Sequence, residues 1–379
     1  MKIIIAPDSF KGALPAGEVA AVIGTTFRMY LPAAEIIMLP LADGGEGTMQ
    51  VLLARVKGSL HQTWVHDPLM RSIAASYAIL SDGTAVIETA AASGLTLLSP
   101  EERNGVITTT YGSGEIIRAA LDQGCNEFII ALGGSATCDG GTGMAQALDY
   151  RFLDGQGKEL NAGGYYLNRL HRIDSSHADP RILTSRFRVL ADVTNPLIGP
   201  DGAARIYGPQ KGIDPALLDY LDNNMTNLAG IISRDLHKEV ASIPGSGAAG
   251  GMGAGTVAFL NARIEKGIDA ILEITDFRTR ATGADLIITG EGRLDRQSLS
   301  GKVVQGVANI AHSLGIPLVI IAGIVVDKEF LQKKLKFRAA WEISPRSTSE
   351  TDMLKQTRYN LEITATRLAR NIKRKKSQI

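Results

Sequence analysis

The sequence predicts an α/β protein built of two α/β domains, and three observations carry that prediction. Several short runs rich in Ile and Val each end in a polar, glycine-rich stretch, and a continuous apolar run of about four to six residues reads as a strand buried on both faces, as in parallel sheets under helices. Segments of helical character lie between these runs, the alternation expected of α/β architecture. The chain has 379 residues, which at roughly 150 per domain suggests two domains, or three, and enough length to bury real cores. Glycine accounts for 41 residues, about one in nine against a background near 7%, so many positions call for left-handed backbone or close approach.

Taken in order, KIIIAP (residues 2–7) reads as a strand leading into DSFKG, and a helix follows Pro15. EIIMLP, ending at Pro40, leads into LADGGEG, with a helix after Thr48. From Trp64 to about Thr96 the pattern changes: YAIL and TAVIETA read as two strands joined by a turn at Ser81-Asp82-Gly83. GEIIRAALDQG reads as a helix stopped at Gly124; FIIAL, ending at Leu132, leads into GGSATCDGG; FRVLA leads into DVTNPLIGP. Pro215–Val240 and Thr256–Phe277 look helical. DLIIT leads into GEGRLD, KVVQGVANIAHSLG reads as a helix stopped at Gly315, and PLVIIAG leads into IVVD. The last segment carries Leu354, Leu361, Leu368 and Ile372 at helical spacing and ends in RNIKRKK, cations that favour a helix C-terminus.

The hairpin marks the start of a second domain inserted after two βα units. The expected division is a discontinuous Rossmann-like parallel-sheet domain, 1–63 plus 256–379, and an inserted α/β domain, 64–255; two sequential domains are the alternative. In open α/β sheets ligands sit outside the carboxyl ends of the strands, where the glycine-rich stretches fall.

Composition excludes several functions. Lys and Arg number 40 and Asp and Glu 39, a net charge of +1, which offers no field for nucleic acid or an anionic membrane surface. Aromatics at 5% disfavour a base-stacking surface. Cys125 and Cys138 are too few for a disulfide scaffold or a structural zinc site. The N-terminus lacks a signal peptide's apolar region, and Gln305, Asn309, His312 and Pro317 interrupt the longest uncharged stretch. The expectation is a soluble cytoplasmic protein, monomer or homodimer, with a small-molecule substrate. No H-E-x-x-H, C-x-x-C or G-x-S-x-G occurs, so metal-dependent hydrolysis and acyl transfer recede.

Glycine beside Asp, Ser, Thr or Lys at a strand end is what anion binding by main-chain N–H groups requires. GGSATCDGGTGM, Gly133 to Met144, fits a phosphate cradle, or otherwise a tight turn. PGSGAAGGMGAG, Pro244 to Gly255, spells G-x-G-x-x-G at Gly245, Gly247 and Gly250, but no apolar run precedes it, as a dinucleotide fingerprint would need; a nucleotide-contacting loop or a hinge fits as well. The classical P-loop is absent. Phosphoryl transfer needs positioning and charge neutralisation, and other residues can supply both. The loops hold acidic Asp8, Asp43, Glu46, Asp139, Asp192, Glu291 and Asp295 and basic Lys11, Lys211, Arg293 and Lys302; carboxylates bind Mg²⁺ and accept the proton of an attacking hydroxyl, or simply cap helices.

Together APDSFKG, PLADGGEG, GGSATCDGG, ADVTNPLIGP, GPQKG, PGSGAAGGMG and TGEGRLDRQSLSGK resemble the bacterial glycerate kinases that phosphorylate the 2-hydroxyl. The likeness runs in order from Met1 to about Gly323, with Cys138 where a polar residue is expected and Ser298 where Thr is common; the stretch after Trp341 matches less well. It implies ATP-dependent conversion of D-glycerate to 2-phospho-D-glycerate with Mg²⁺, in a cleft between two α/β domains. Given that reaction, Ser9, Lys11, Asp43 and Arg293 are suited to hold the substrate. Gly133, Gly134, Ser135, Thr137, Gly245, Gly247, Gly250 and Gly251 are assigned to the nucleotide, with Lys211 or Lys302 on the transferring group. Asp192 is the expected base and Asp295 the expected Mg²⁺ ligand, roles the two could exchange; Lys11 and Arg293 also serve the catalytic step. An NAD-dependent hydroxy-acid dehydrogenase and a non-catalytic small-anion sensor are the rival readings.

Overall fold

The computed structural model describes residues 1–299, 301–344 and 350–376. Its strands in chain order are β1 (Lys2–Ile5), β2 (Glu35–Met38), β3 (Gly58–His66), β4 (Ser72–Leu80), β5 (Ala85–Glu88), β6 (Glu127–Ala131) and β7 (Arg151–Leu153). They continue with β8 (Arg172–Asp174), β9 (Arg186–Leu190), β10 (Arg263–Glu265), β11 (Leu286–Leu294), β12 (Leu318–Val325) and β13 (Ala339–Glu342). The chain divides into two compact units: Met1–Asp43, Gln50–Leu52 and Gly267–Ile379 form the first, Gly44–Met49 and Leu53–Lys266 the second.

The first unit is a five-stranded, wholly parallel sheet in the order β13-β12-β11-β1-β2. Numbered within the unit, the order is 2-1-3-4-5, the flavodoxin-like form of the doubly wound sheet, whose topological switch lies between its first and third strands, here β1 and β11. Ile3, Ile4 and Ile5 are all fully buried, as the run KIIIAP requires, each worth roughly 1.5–3 kcal/mol over an exposed position. On one face Val19, Ile23 and Phe27 of the helix Ala16–Tyr30 pack with Leu361 and Leu368 of the C-terminal helix Glu350–Lys376, the seven-residue spacing read from the sequence. Residues 345–349, within the poorly matching stretch, lie outside the described residues.

β11 and β12 are longer than their apolar cores. GEGRL continues the strand instead of opening a loop, with Gly290 paired to Ile321 and Leu294 to Val325. The glycines permit this: a Cβ on Gly290 would lie 2.0 Å from the Ile321 carbonyl oxygen, and one on Gly323 2.2 Å from that of Gly292.

The second unit holds a six-stranded mixed sheet, β10-β9-β6-β5-β4-β3, and the small antiparallel pair β7-β8. β4 runs antiparallel to both β3 and β5, with the expected turn at 81–83 between β4 and β5; β5, β6, β9 and β10 are parallel. The boundary expected after residue 63 falls inside β3, which pairs with β4 along its whole length. The one expected after residue 255 falls inside the helix Ala248–Leu260, and β10 then joins β9. The helix expected over Thr256–Phe277 is therefore broken: Asn261 turns left-handed at φ +55 and ends it. No helix among the described residues is long and apolar enough to cross a membrane.

Candidate active site

At the switch point of the first unit the chain leaves β1 through Asp8-Ser9-Phe10-Lys11, held by the Asp8 N–H donating to the Gly290 carbonyl at 2.8 Å. Leu41 N–H donates to the Pro7 carbonyl at 3.0 Å and carries Asp43 to the same edge. Strand alternation places Glu291 and Arg293 of β11 on one face. The pocket they surround measures about 240 Å³, below the roughly 300–1,000 Å³ of sites for drug-sized ligands, so it suits a molecule of a few carbons. Its polar lining is acidic Asp8, Asp43 and Glu291, basic Lys11, Arg293 and Lys302, and the hydroxyl residues Ser9, Ser344 and Thr357.

The acids are buried and the cations reach outward. Asp8, Asp43 and Glu291 are each about nineteen-twentieths covered, while the Lys11 and Arg293 side chains are mostly exposed. Lys11 Nζ stands 3.8 Å from Asp43 Oδ2, and Lys302 Nζ 3.9 Å from Glu291 Oε2. Burial, reinforced by the neighbouring Asp43 charge, pushes Asp8 up to about 7; burial also takes Glu291 to about 7, against the Ser298 hydroxyl and Lys302.

Both groups hold a proton in the folded chain at pH values where the unfolded chain, with its ordinary values of 3.8 and 4.5, has lost it. Their contribution to stability therefore falls as pH rises between about 4 and 7, and the full cost is present above that window. Glu291→Gln removes one such cost: at pH 8 the variant is expected to melt a few degrees above the wild type, the difference vanishing toward pH 4. Thermal melts across that range decide it; an unchanged or lower Tm at pH 8 would show that Lys302 and Ser298 compensate the ionised form.

Asp295, expected to ligate metal, caps the short turn that follows it: Gln297 N–H donates to Oδ1 at 2.9 Å and Arg293 Nε to Oδ2 at 3.0 Å. Asp8 and Glu291 stand among the candidate acids of the sequence but received no specific role there. Recognising GEGRL as strand would have placed Glu291 on the face of Arg293, through their two-residue spacing.

In the second unit, β6 opens into Gly133–Cys138. Gly133 packs against Gly45, where a Cβ would lie 2.8 Å from the Gly45 Cα, and Gly134 has φ +68. Lys211 is buried; its Nζ donates to Ser135 Oγ at 2.8 Å and to the Thr137 carbonyl at 2.7 Å. Burial pushes this ammonium down to about 8, opposed by Cys138 and Asp139, and the same burial pushes the Cys138 thiol up to about 11. Thr137 Oγ1 is buried with no hydrogen-bond partner.

The second half of this loop is already occupied by the protein's own anion. Buried Asp139 accepts from the N–H groups of Thr110 (2.8 Å), Gly141 (3.1 Å) and Gly143 (3.2 Å), which a phosphate would otherwise use. The helix Thr142–Gln146 that follows is a single turn. Of this loop, only Gly133–Thr137 is left outside the N–H groups that Asp139 engages.

The glycines of 245–251 are explained by packing. A Cβ on Gly247 would come 2.2 Å from the Pro196 carbonyl oxygen, and one on Gly250 1.9 Å from that of Thr137; Gly245 and Gly251 have φ +89 and +88. Gly250 thus joins the Ser135–Thr137–Lys211 group, while Gly245 and Gly247 adjoin residues 193–196, directly after Asp192 at the end of β9. Residues 237–244 contain no strand, so the dinucleotide fingerprint lacks its context. Of the predicted residues, Ser9, Lys11, Asp43, Arg293, Asp295 and Lys302 fall in the first unit, and Asp192, Lys211 and the loop glycines with Ser135 and Thr137 in the second.

Comparison with known proteins covers almost the whole chain. A family model described as the glycerate kinase family matches residues 3–373. The glycerate 2-kinase of Escherichia coli K12 is 48% identical over 328 residues, 86% of each chain, and the glycerate kinase of Bacillus subtilis 44% identical over 374 residues, 98% of each. A crystal structure of a putative glycerate kinase 2 from Salmonella typhimurium superposes with a TM-score of 0.88 at 42% identity, covering 100% of this chain and 99% of that one. Likeness of this extent embraces both units and every loop described above, and the chain belongs to the glycerate kinase family.

Proposed function

We propose that this kinase transfers the γ-phosphoryl group of ATP to the 2-hydroxyl of D-glycerate, with Mg²⁺, giving 2-phospho-D-glycerate and ADP. The observation that carries the reading is the switch-point pocket, where outward-reaching cations stand over buried carboxyls. Lys11 and Arg293 suit a substrate carboxylate, and Ser9 and Asp43 suit its hydroxyls. The name of the Escherichia coli relative supports the 2-position.

The nucleotide belongs to the second unit in this reading, with its phosphates at Gly133, Gly134, Ser135 and Thr137. Lys211 spends two of its three N–H donors on Ser135 and the Thr137 carbonyl; it sets the charge and shape of that loop, and Lys302 is the cation for the transferring group. Gly250 packs behind the loop at Thr137, while Gly245 and Gly247 pack behind residues 193–196 and Gly251 against Leu197 and Gly140. Asp192 takes the proton of the 2-hydroxyl as its oxygen attacks phosphorus in line and ADP departs.

The residues present fit Mg²⁺: the donors are hard carboxylate oxygens, and each Asp295 oxygen accepts one hydrogen bond and keeps a further lone pair. No three His, Cys, Asp or Glu side chains among the described residues converge on one point, but Mg²⁺ typically takes one or two carboxylates and fills its shell with water and phosphate. Asp295 would hold it, and when bound it would neutralise phosphate charge.

The test is direct: purified protein with ATP, Mg²⁺ and D-glycerate should release ADP and a product whose phosphorylated carbon is C2 by NMR. Turnover of a different hydroxy acid in place of D-glycerate would reassign the substrate, and a phosphorylated C3 would reassign the position.

A further inference from the structure

Glu291 is buried at the C-terminal part of β11, and its carboxylate is held from two sides. Lys302 Nζ lies 3.9 Å from Oε2. The buried Ser298 hydroxyl lies beside the same carboxylate, which it stabilises in its charged form, and receives the Asp295 N–H at 3.1 Å. Pairing of Gly290, Glu291 and Arg293 to β12 fixes the backbone. Oε1 nevertheless has no hydrogen-bond partner, although it is buried in a residue that lines the pocket. The neighbouring carboxyls differ: Asp8 Oδ1 already accepts the Ser9 N–H at 2.6 Å, and Asp43 faces Lys11. A buried acceptor left without a donor is a standing penalty that a hydroxyl can relieve.

We propose that Glu291 is the specificity-determining residue of this pocket: through Oε1 it accepts a hydrogen bond from the substrate hydroxyl that is not phosphorylated. Resting on the glycerate reading above, this makes the pocket selective for dihydroxy acids. An acid lacking the second hydroxyl leaves Oε1 unpaired, and sites built around a substrate hydroxyl reject such analogues by about 10⁴–10⁵-fold. The neutral Ser9 and Ser344 hydroxyls can adapt to either substrate, whereas the Glu291 carboxylate, once ionised above about pH 7, can only accept, so the comparison is made at pH 8.

The experiment compares D-glycerate with D-lactate, the same acid without its 3-hydroxyl, in the wild type, Glu291→Ala and Glu291→Gln. Both kcat/KM and the inhibition constant of D-lactate against D-glycerate are read, so that a value exists where lactate turnover is undetectable. The wild type should prefer D-glycerate by at least about 10³-fold. Glu291→Ala should narrow that preference tenfold or more, through loss on D-glycerate alone, and Glu291→Gln, which keeps an amide oxygen at the same place, should retain most of it. If Glu291→Ala does not fold, Glu291→Asp, which withdraws the acceptor by one methylene, takes its place with the same expected narrowing. Equal losses on both acids, with the preference unchanged, would overturn the proposal by making Glu291 part of the common chemistry. A wild type inactive on D-glycerate would overturn the substrate reading and this proposal with it, and is distinguished by being seen before any substitution is made.

Discussion

Asp192→Asn is expected to lower kcat by about 10²–10⁴-fold, the range a positioned proton acceptor contributes. Asp192 follows β9 directly, at the carboxyl end of a strand held between β6 and β10, so its backbone is placed by the sheet. Asparagine keeps the volume and one acceptor oxygen, and it cannot take the substrate's proton. Tm and both KM values should therefore change little while the rate collapses, the signature of an interaction made chiefly in the transition state. Steady-state kinetics beside a thermal melt make the measurement. A loss smaller than tenfold would take the base role from Asp192 and give it to Asp8, which burial and Asp43 have raised to about 7, near the operating pH where a base works best.

The largest expected effect on stability lies far from any reacting atom, at Gly250. Its φ is +70, and an added Cβ would stand 1.9 Å from the Thr137 carbonyl oxygen and 2.8 Å from the Cys138 Cα. Both neighbours are backbone, so no side chain can swing aside. Left-handed conformation costs an L-residue about 1–2 kcal/mol and overpacking about 1–3 kcal/mol more, so Gly250→Ala should destabilise the second unit by about 2–5 kcal/mol. At about 2–4 °C per kcal/mol for a domain of this size, calorimetry should show one transition moved down by several degrees or more. Displacement of Thr137 should also raise the KM for ATP. Gly17→Ala is the control: in the helix Ala16–Tyr30 its Cβ meets nothing within 4 Å, and alanine gains up to about 1 kcal/mol there. Equal melting behaviour of the two variants would show that the Gly250 segment moves freely.

The apolar runs were readable because strands buried on both faces need consecutive hydrophobic residues: KIIIAP, EIIMLP, FIIAL, FRVLA, DLIIT and PLVIIAG all became strands. β3 was not readable. At the edge of its sheet GSLHQTWVH leaves Leu60 and Trp64 exposed, so neither a continuous run nor clean alternation marks it. The three-residue β10 owes its existence to β9 beside it and to a helix stop at Asn261, where no glycine signals the turn.

Residue chemistry followed the same division. That Asp, Lys, Ser and Gly crowd the ends of strands, in motifs peculiar to one kinase family, was determined by the order of residues alone, since adjacency along the chain is all that a motif needs. Which acid is buried with an idle oxygen, which caps a turn and which fills its own nest of N–H groups was decided only by the folded sheet. Glu291, Asp295 and Asp139 are all carboxylates beside glycine or at a turn; some partners lie within a few residues, as Arg293 and Gln297 do for Asp295, and some far along the chain, as Thr110 does for Asp139, and only the fold decides which come within reach and how deeply each acid is desolvated. Those two quantities, and not residue type, govern what a carboxylate can do.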